Sequence, residues 1–152
     1  MSTAPKKTVG WKQQGNTAYE SLLLRRALYE VEDTEFDDYR VERDRIVADI
    51  PRELCAEEND ITLYAHFCSG SWDWYVAVWD PDSDEAYCFV TGLKDEWETE
   101  WLRGIETTRM PLRMSINGGE IFTVPEGPWV ECDTLWVPIT FGELMARREG
   151  AL

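Results

Sequence analysis

The stretch that decides the fold runs from Ile61 to Thr91 and contains three consecutive apolar and aromatic runs. They read Ile61-Thr-Leu-Tyr-Ala-His-Phe-Cys68, Trp72-Asp-Trp-Tyr-Val-Ala-Val-Trp-Asp80 and Glu85-Ala-Tyr-Cys-Phe-Val-Thr91. Each run has the length and the aromatic and β-branched content of a strand. Turn-forming residues separate the runs, first at 69–71 and then at 81–84. The simplest prediction is an antiparallel meander.

Side chains that alternate along a strand point to opposite faces of a sheet, so the three runs also predict how the sheet is covered. Ile61, Leu63, Ala65 and Phe67 are expected to share one face of the first strand. Trp74, Val76 and Val78 are expected to share a face of the second strand, and Ala86, Cys88 and Val90 a face of the third. The other residues of each run are nearly as apolar. We therefore expect both faces to be at least partly covered.

Two amphipathic segments precede the meander. Residues 1–15 are predicted to be a flexible arm, and Thr17-Ala-Tyr-Glu20 fits a capping box that opens a helix to about Tyr29 or Glu32. The acid-rich segment from Thr34 to Ile50 favours a second helix, although its alternation also fits an edge strand. Pro51 ends either element.

The region after the meander predicts mixed structure. Trp97 and Trp101 are four residues apart, which favours a short helix between Lys94 and Leu102 that Gly104 ends. A hairpin is predicted to turn at Asn117-Gly-Gly119, followed by a strand over 129–137. Thr140-Phe-Gly-Glu143 then caps a last helix, Phe141 to Arg148. The fold class is α+β, with one domain over 16–152.

Composition limits the classes of function. The 152 residues are 43% hydrophobic and carry a net charge of −15. Such a charge repels nucleic acid and acidic membrane surfaces and favours a basic partner. No apolar run is long enough to span a bilayer, and residues 1–7 do not read as a secretory signal. We expect a cytoplasmic protein.

Catalytic and metal-binding patterns are weak. A zinc site would need His66 together with Cys68, Cys88 and Cys132, whose spacing matches none of the usual patterns. Cys68 and His66 share a strand face, but no residue of the sequence is identified that would orient the histidine as a base. The turn 80–85 resembles a calcium loop without its glycine and distal glutamate. We expect no cofactor and no metal.

The acid-rich segments are the candidate functional surfaces. Carboxylates spaced over a surface can imitate the phosphates of a duplex and occupy a basic groove of a nucleic-acid enzyme. The candidate partner-binding residues are Asp80, Asp82, Asp84, Glu85, Asp95, Glu96, Glu98 and Glu100, with Trp72 and Trp97 as aromatic anchors. A second candidate patch contains Glu32, Asp33, Glu35, Asp37 and Asp38.

Three motifs carry a resemblance to a known family: Ile50-Pro-Arg-Glu-Leu54, the strand 61–67, and Gly70-Ser-Trp-Asp-Trp-Tyr-Val-Ala77 before an acidic turn. In this order they resemble a family of small bacterial proteins of unknown function carried on plasmids, phages and integrated mobile elements. The resemblance covers roughly residues 50–145, and the spacing departs from the family pattern over 97–124. It implies a mobile-element context, in which accessory proteins often counter host defence.

The predicted function is therefore an acidic, non-enzymatic protein-binding domain, of the kind that inhibits a restriction, CRISPR or other nucleic-acid-handling complex of the host. Its predicted partner is a basic surface of a host protein. Two alternatives stay open. One is a small enzyme or ligand-binding domain with a Trp-lined pocket. The other is an adaptor whose acidity serves only solubility.

Overall fold

A five-stranded antiparallel sheet organises the protein. The computed structural model describes residues 33–92, 94–109, 111–116, 118–124 and 129–150. The strands are β1 (Thr62–Leu63), β2 (Ala65–Ser69), β3 (Trp72–Trp79), β4 (Glu85–Thr91), β5 (Glu96–Trp101), β6 (Leu112–Ile116), β7 (Glu120–Val124), β8 (Glu131–Cys132) and β9 (Ile139–Thr140), and the helices are α1 (Asp33–Ala48), α2 (Leu102–Glu106) and α3 (Phe141–Gly150), with a 3₁₀ turn at Glu58–Asp60.

The predicted meander is confirmed as β2, β3 and β4, which are successive antiparallel neighbours. In the described part of the chain, β5 lies beyond β4 and β8 lies beyond β2, so the order is β5-β4-β3-β2-β8. The strand predicted over 129–137 is much shorter: it is the two-residue β8, preceded by a bridge between Arg109 and Trp129. The α+β class is confirmed.

Two irregularities change which side chains share a face. The first predicted strand breaks at Tyr64, so β1 pairs with β9 while β2 pairs with β3. A register shift between Val76 and Val78 then interrupts the pairing of β3 with β4. As a result, Ile61, Leu63 and Val78 join the core on the opposite side from Ala65, Phe67, Trp74 and Val76. The expectation of one shared face was wrong for the first and second strands, whereas Ala86, Cys88 and Val90 of β4 do lie together in one core.

Both faces of the sheet are covered, as expected, and each face has its own core. Ile46, Val47 and Ile50, at the end of α1 and just after it, pack on the face that carries Phe67 and Val76, and we call this cluster the first core. Phe141 and Leu144 of α3 pack on the face that carries Tyr75 and Phe89. The helix predicted for 17–32 lies outside the described residues, whereas the helix preferred for 34–50 is confirmed as α1.

A buried ion pair joins α1 to α2 beneath the first core. Glu106 is 1% exposed, and its carboxylate accepts hydrogen bonds from Nε and Nη2 of Arg43, the former over 3.0 Å. Burial opposes a charged guanidinium, but the adjacent carboxylate outweighs it and raises the pKa of Arg43. Burial raises the pKa of Glu106 against the opposing effect of Arg43, but the guanidinium donates to both carboxylate oxygens, which is the geometry of an ion pair.

The segment that contains Trp97 and Trp101 is a strand, and the prediction of a helix there was wrong. The segment forms β5, which pairs with β4 from Glu85↔Trp101 to Val90↔Glu96. The helix begins only at Leu102, and Gly104 lies inside it instead of ending it. Because residues four apart also share a face in a strand, the Trp spacing did not distinguish the two structures.

The carboxyl-terminal half follows the predictions more closely. β6 and β7 form the predicted hairpin, with Gly118 at a positive φ of 74° in its turn. The capping box is confirmed, since Glu143 N–H donates to Thr140 Oγ1 and Thr140 N–H donates to a Glu143 carboxylate oxygen, both over 3.1 Å. Among the helices that the structure describes, none is long and apolar enough to cross a membrane.

Candidate functional site

Three carboxylates of β5 form one row along the edge of the sheet. Glu96, Glu98 and Glu100 pair with Val90, Cys88 and Ala86 of β4 and so lie on the same face as these residues. Alternate residues of a strand are about 6.8 Å apart. The row continues from the half-buried Glu100 to the exposed Glu96, and we call it the β5 acidic row.

The β5 acidic row has little positive charge beside it. Within the described ranges, no Lys or Arg side chain forms an ion pair with Glu96, Glu98 or Glu100. Glu100 instead accepts a hydrogen bond of 3.3 Å from Trp74 Nε1. Partial burial, and then the charge of Glu98, raise the pKa of Glu100. The row is thus a set of like charges that a cation would stabilise.

The opposite face of β5 carries its aromatic residues, and they differ in role. Trp97 stacks on Tyr87 with ring centroids 5.0 Å apart, and it packs against Phe89 and Phe141. Its indole N–H donates to Glu58 over 3.1 Å. Trp101 is 64% exposed. The Trp97 ring therefore packs within the fold, whereas the Trp101 ring is open to contact.

A shallow groove lies at the carboxyl end of β5. It encloses about 390 Å³ and is lined by Glu85, Thr99, Glu100, Trp101 and Gly104. Two carboxylates and one exposed indole ring are the groups that a guanidinium or ammonium ion prefers. The groove contains one tryptophan and is open to solvent, which differs from the enclosed Trp-lined pocket of the alternative hypothesis.

Most carboxylates of the acidic turn between β3 and β4 form ion pairs or hydrogen bonds within the fold. Arg52 reaches Asp82 at 2.9 Å and Asp80 at 3.6 Å. Asp84 has a positive φ of 67°, and its carboxylate accepts hydrogen bonds from Trp79 Nε1 and from the backbone N–H of Arg103. Asp84 therefore holds the turn against the start of α2, which makes it a poor candidate for partner contact.

The remaining predicted residues are dispersed. Asp95 pairs with Arg148 of α3 at 2.9 Å. Trp72 stacks on Trp74 with centroids 6.3 Å apart and is partly buried against the first core. In the second patch, Asp37 and Asp38 are exposed on α1. Asp33 and Glu35 belong to the same helix, and Glu32 lies outside the described residues.

A polar cluster that the sequence did not predict surrounds His66. Its Nε2–H donates to Asp73 over 2.7 Å and its Nδ1–H donates to Asp133 over 3.1 Å, which is the pattern of an imidazolium. The ring is 14% exposed and stacks on Tyr75. Burial lowers the pKa of His66, but the hydrogen bonds and charges of both carboxylates outweigh burial and raise it.

The geometry of this cluster does not suit nucleophilic catalysis. Both ring nitrogens of His66 are engaged by carboxylates, so neither is available to take a proton from Cys68. Burial, followed by the charges of Asp73 and Asp133, raises the pKa of the Cys68 thiol and keeps it neutral near pH 7. In the described part of the chain, no group of His, Cys, Asp and Glu side chains is arranged to hold a metal ion.

Asp133 begins a loop that exposes two apolar side chains. Its carboxylate also accepts a hydrogen bond from the Leu135 backbone N–H over 3.0 Å, and Leu135 and Val137 are 87% and 70% exposed. Asp133 lies 67 positions from His66 in the chain. Separations of this size carry no local spacing signal, which is why the cluster was not found from the sequence.

Comparisons with protein-family models, curated proteins and solved structures found no match to this chain. The resemblance to the mobile-element family therefore stays a prediction.

Proposed function

We propose that this chain is a non-enzymatic protein-binding domain that presents the β5 acidic row to a basic surface of a nucleic-acid-handling protein. The observation that carries the proposal is the arrangement of Glu96, Glu98 and Glu100: they are aligned on the sheet edge, and no described cation pairs with them. Most other candidate acids are paired or structural. Asp80, Asp82 and Asp95 are paired with arginines, whereas the three acids of the row have no cation partner among the described residues.

The charge of the whole chain supports the same proposal. Fifteen basic and 30 acidic residues leave a net charge of −15, which attracts a basic partner over long distances and speeds encounter at low ionic strength. A field of this sign disfavours nucleic acid as the direct ligand. Such a chain would compete most strongly for basic surfaces that normally bind nucleic acid.

The biological role follows from that competition. A carboxylate row seated on a groove that normally binds phosphates would block the groove, and the chain would act as an inhibitor of the DNA-mimic type. The resemblance of residues 50–145 to mobile-element proteins favours a host-defence complex, of the restriction or CRISPR kind, as the target.

The test compares two variants with the same change in charge. Glu96→Gln/Glu98→Gln neutralises the exposed Glu96 and the half-buried Glu98, and Asp37→Asn/Asp38→Asn neutralises two exposed acids on α1. Each variant and the unmodified chain is immobilised and incubated with bacterial lysate. Bound proteins are eluted with NaCl from about 50 mM to about 500 mM, across which electrostatic binding weakens strongly.

We expect proteins that duplex DNA displaces to be retained by the unmodified chain and by the α1 variant, and lost by the β5 variant. Retention by the β5 variant, or elution that does not depend on salt, contradicts the proposal. Retention by all three chains without competition from DNA would favour the adaptor whose acidity serves only solubility.

A further inference from the structure

The main chain of β5 offers a second set of contacts beside the acidic row. In the described part of the chain, β5 is the last strand on its side of the sheet and pairs only with β4. Along such an edge, alternate N–H and C=O groups point away from the sheet. These groups form a template to which an extended segment of another chain adds as a further strand.

A second copy of this chain is a poor occupant of that edge. Antiparallel pairing of two β5 strands places residues of the same face directly opposite each other. Glu96, Glu98 and Glu100 of one copy would then face the same three carboxylates of the other. Like charges directly opposite each other destabilise strand pairing. A second copy would therefore bind weakly at this edge, whereas a strand of opposite charge would be stabilised.

We propose that the β5 edge binds an extended segment of the partner by strand addition, and that this segment carries Arg or Lys at alternate positions. The basic side chains would then lie on the face of the acidic row. The intervening side chains would lie on the face of Trp97, Thr99 and Trp101. This inference rests on the proposed function, since it specifies how the basic partner is held.

The groove at the carboxyl end of β5 is a place for one arginine at the end of the segment, beyond the alternating positions, because its lining combines Glu100 of the row with Glu85 and Trp101 of the opposite face. Glu85 and Glu100 supply carboxylates to the groove, and the exposed ring of Trp101 supplies an aromatic face. A guanidinium binds carboxylates through its fork of N–H groups and stacks on an indole, which an ammonium does less well. Arginine is therefore preferred over lysine at that position of the segment.

Strand addition is distinguished from simple charge attraction by the peptide backbone. The probe is the capped hexapeptide Arg-Thr-Arg-Thr-Arg-Thr, compared with a peptide of the same composition whose three arginines are consecutive. Two further peptides are N-methylated, one at every arginine and one at every threonine. Because alternate amides of an added strand point to the sheet and to solvent, only one methylation pattern removes the hydrogen bonds to β5.

Affinity is measured by titration of Trp fluorescence, and the binding site is mapped by hydrogen exchange of the backbone amides. We expect the alternating peptide to protect amides of β5. One N-methylated peptide should bind at least about tenfold more weakly, as the loss of two or three hydrogen bonds implies. The other should bind within about threefold of the parent, and the consecutive-arginine peptide should be weaker than the parent.

The outcomes separate this inference from the proposed function. Equal binding of both N-methylated peptides and of the consecutive-arginine peptide, with salt-dependent affinity that Glu96→Gln/Glu98→Gln reduces, overturns strand addition and leaves electrostatic binding by the acidic row intact. Protection confined to α1 also overturns it. If no arginine peptide binds in low salt, both the inference and the proposed function fail.

Discussion

The ion pair between Arg43 and Glu106 is a single-residue feature on which the first core depends. Glu106→Leu would leave the guanidinium of Arg43, only 11% exposed, with the partly exposed Asp44 as its remaining acidic partner and its Nε and Nη2 donors unsatisfied. Removing one member of a buried pair typically costs about 3–5 kcal/mol, because the remaining charge stays desolvated. We expect the free energy of unfolding, measured in urea, to fall by that amount.

Two further variants test whether the loss of stability comes from the buried charge that remains. Arg43→Met/Glu106→Leu removes both charges and is expected to recover most of the lost stability, since an apolar pair fills the same space. Glu42→Gln breaks the exposed pair with Arg45, which lies on the same helix, and should change stability by less than about 0.5 kcal/mol. A double variant as unstable as Glu106→Leu would contradict the assignment of the cost to an unpaired charge.

His66 is the one histidine of the sequence, so its titration can be followed by NMR without ambiguity. Asp73 and Asp133 raise its pKa in the folded state above the ordinary value of about 6.5. A group whose pKa is raised by folding stabilises the fold fully below about pH 6.5 and loses that contribution as pH rises through the folded pKa. We expect a titration midpoint above 6.5, with the free energy of unfolding decreasing between pH 6.5 and that midpoint.

The two carboxylates should differ in their effect on that midpoint. Asp73→Asn should lower the midpoint more than Asp133→Asn, because the bond to Asp73 is the shorter, 2.7 Å against 3.1 Å. Asp37→Asn on α1 serves as the control and should leave it unchanged. A midpoint at or below 6.5 in the unmodified chain would mean that burial outweighs the carboxylates.

At the scale of the element, β5 shows why part of the fold could not be read from the sequence. Glu96-Trp-Glu-Thr-Glu-Trp101 alternates as a strand does, yet its tryptophans are also one helical turn apart. Both periods fit six residues. The partner strand β4 lies just before β5 in the chain, but three of the six residues are glutamates, which are favoured in helices and depleted in strands, so local propensity indicated the wrong structure. The meander was predictable because its runs are rich in β-branched and aromatic residues and are bounded by turn residues.

Gly92, just after β4, is a close-approach position that the sequence does not reveal. A Cβ at this residue would lie 2.3 Å from Cε3 of Trp72. Gly92→Ala should therefore displace the Trp72 ring from Trp74 and cost about 1–3 kcal/mol, as overpacking does. The measurement is the urea midpoint, with Trp fluorescence to report the moved ring.

Gly104→Ala is the matched control for that substitution. Its Cβ would meet only Trp101 Cβ, at an ordinary 3.7 Å, and Gly104 lies inside α2. Alanine is favoured over glycine inside a helix by about 0.5–1 kcal/mol, so this variant should be as stable as the unmodified chain or more so. Equal loss in both variants would show that the cost at position 92 is not steric.

At the scale of the whole molecule, the sequence predicted the acidity of the surface but not its distribution. Arg52, Arg148 and the indole of Trp79 each bind an acid of the predicted site. Their partners are brought together by folding, and 53 positions separate Arg148 from Asp95. The sequence therefore predicted many equivalent acids, whereas the structure leaves one aligned row with unsatisfied charge.

That unsatisfied charge predicts how stability depends on salt. With a net charge of −15, self-repulsion opposes the compact state, and raising NaCl from about 10 mM to about 150 mM shortens the screening length from about 30 Å to about 8 Å. Screening also weakens the exposed ion pairs, but each of those contributes at most about 1 kcal/mol. We expect repulsion to dominate, so the urea midpoint should rise with salt.

The β5 acidic row should account for a measurable part of this rise. Glu96→Gln/Glu98→Gln should be more stable than the unmodified chain at low salt and should gain less from added NaCl. Asp37→Asn/Asp38→Asn makes the same change in net charge on α1, where Arg40 and Arg43 share the helix, and should gain less stability. If the two variants respond equally, repulsion is spread over the surface. If the β5 variant responds more, the row retains charges that destabilise the free protein, as expected of a surface selected for binding.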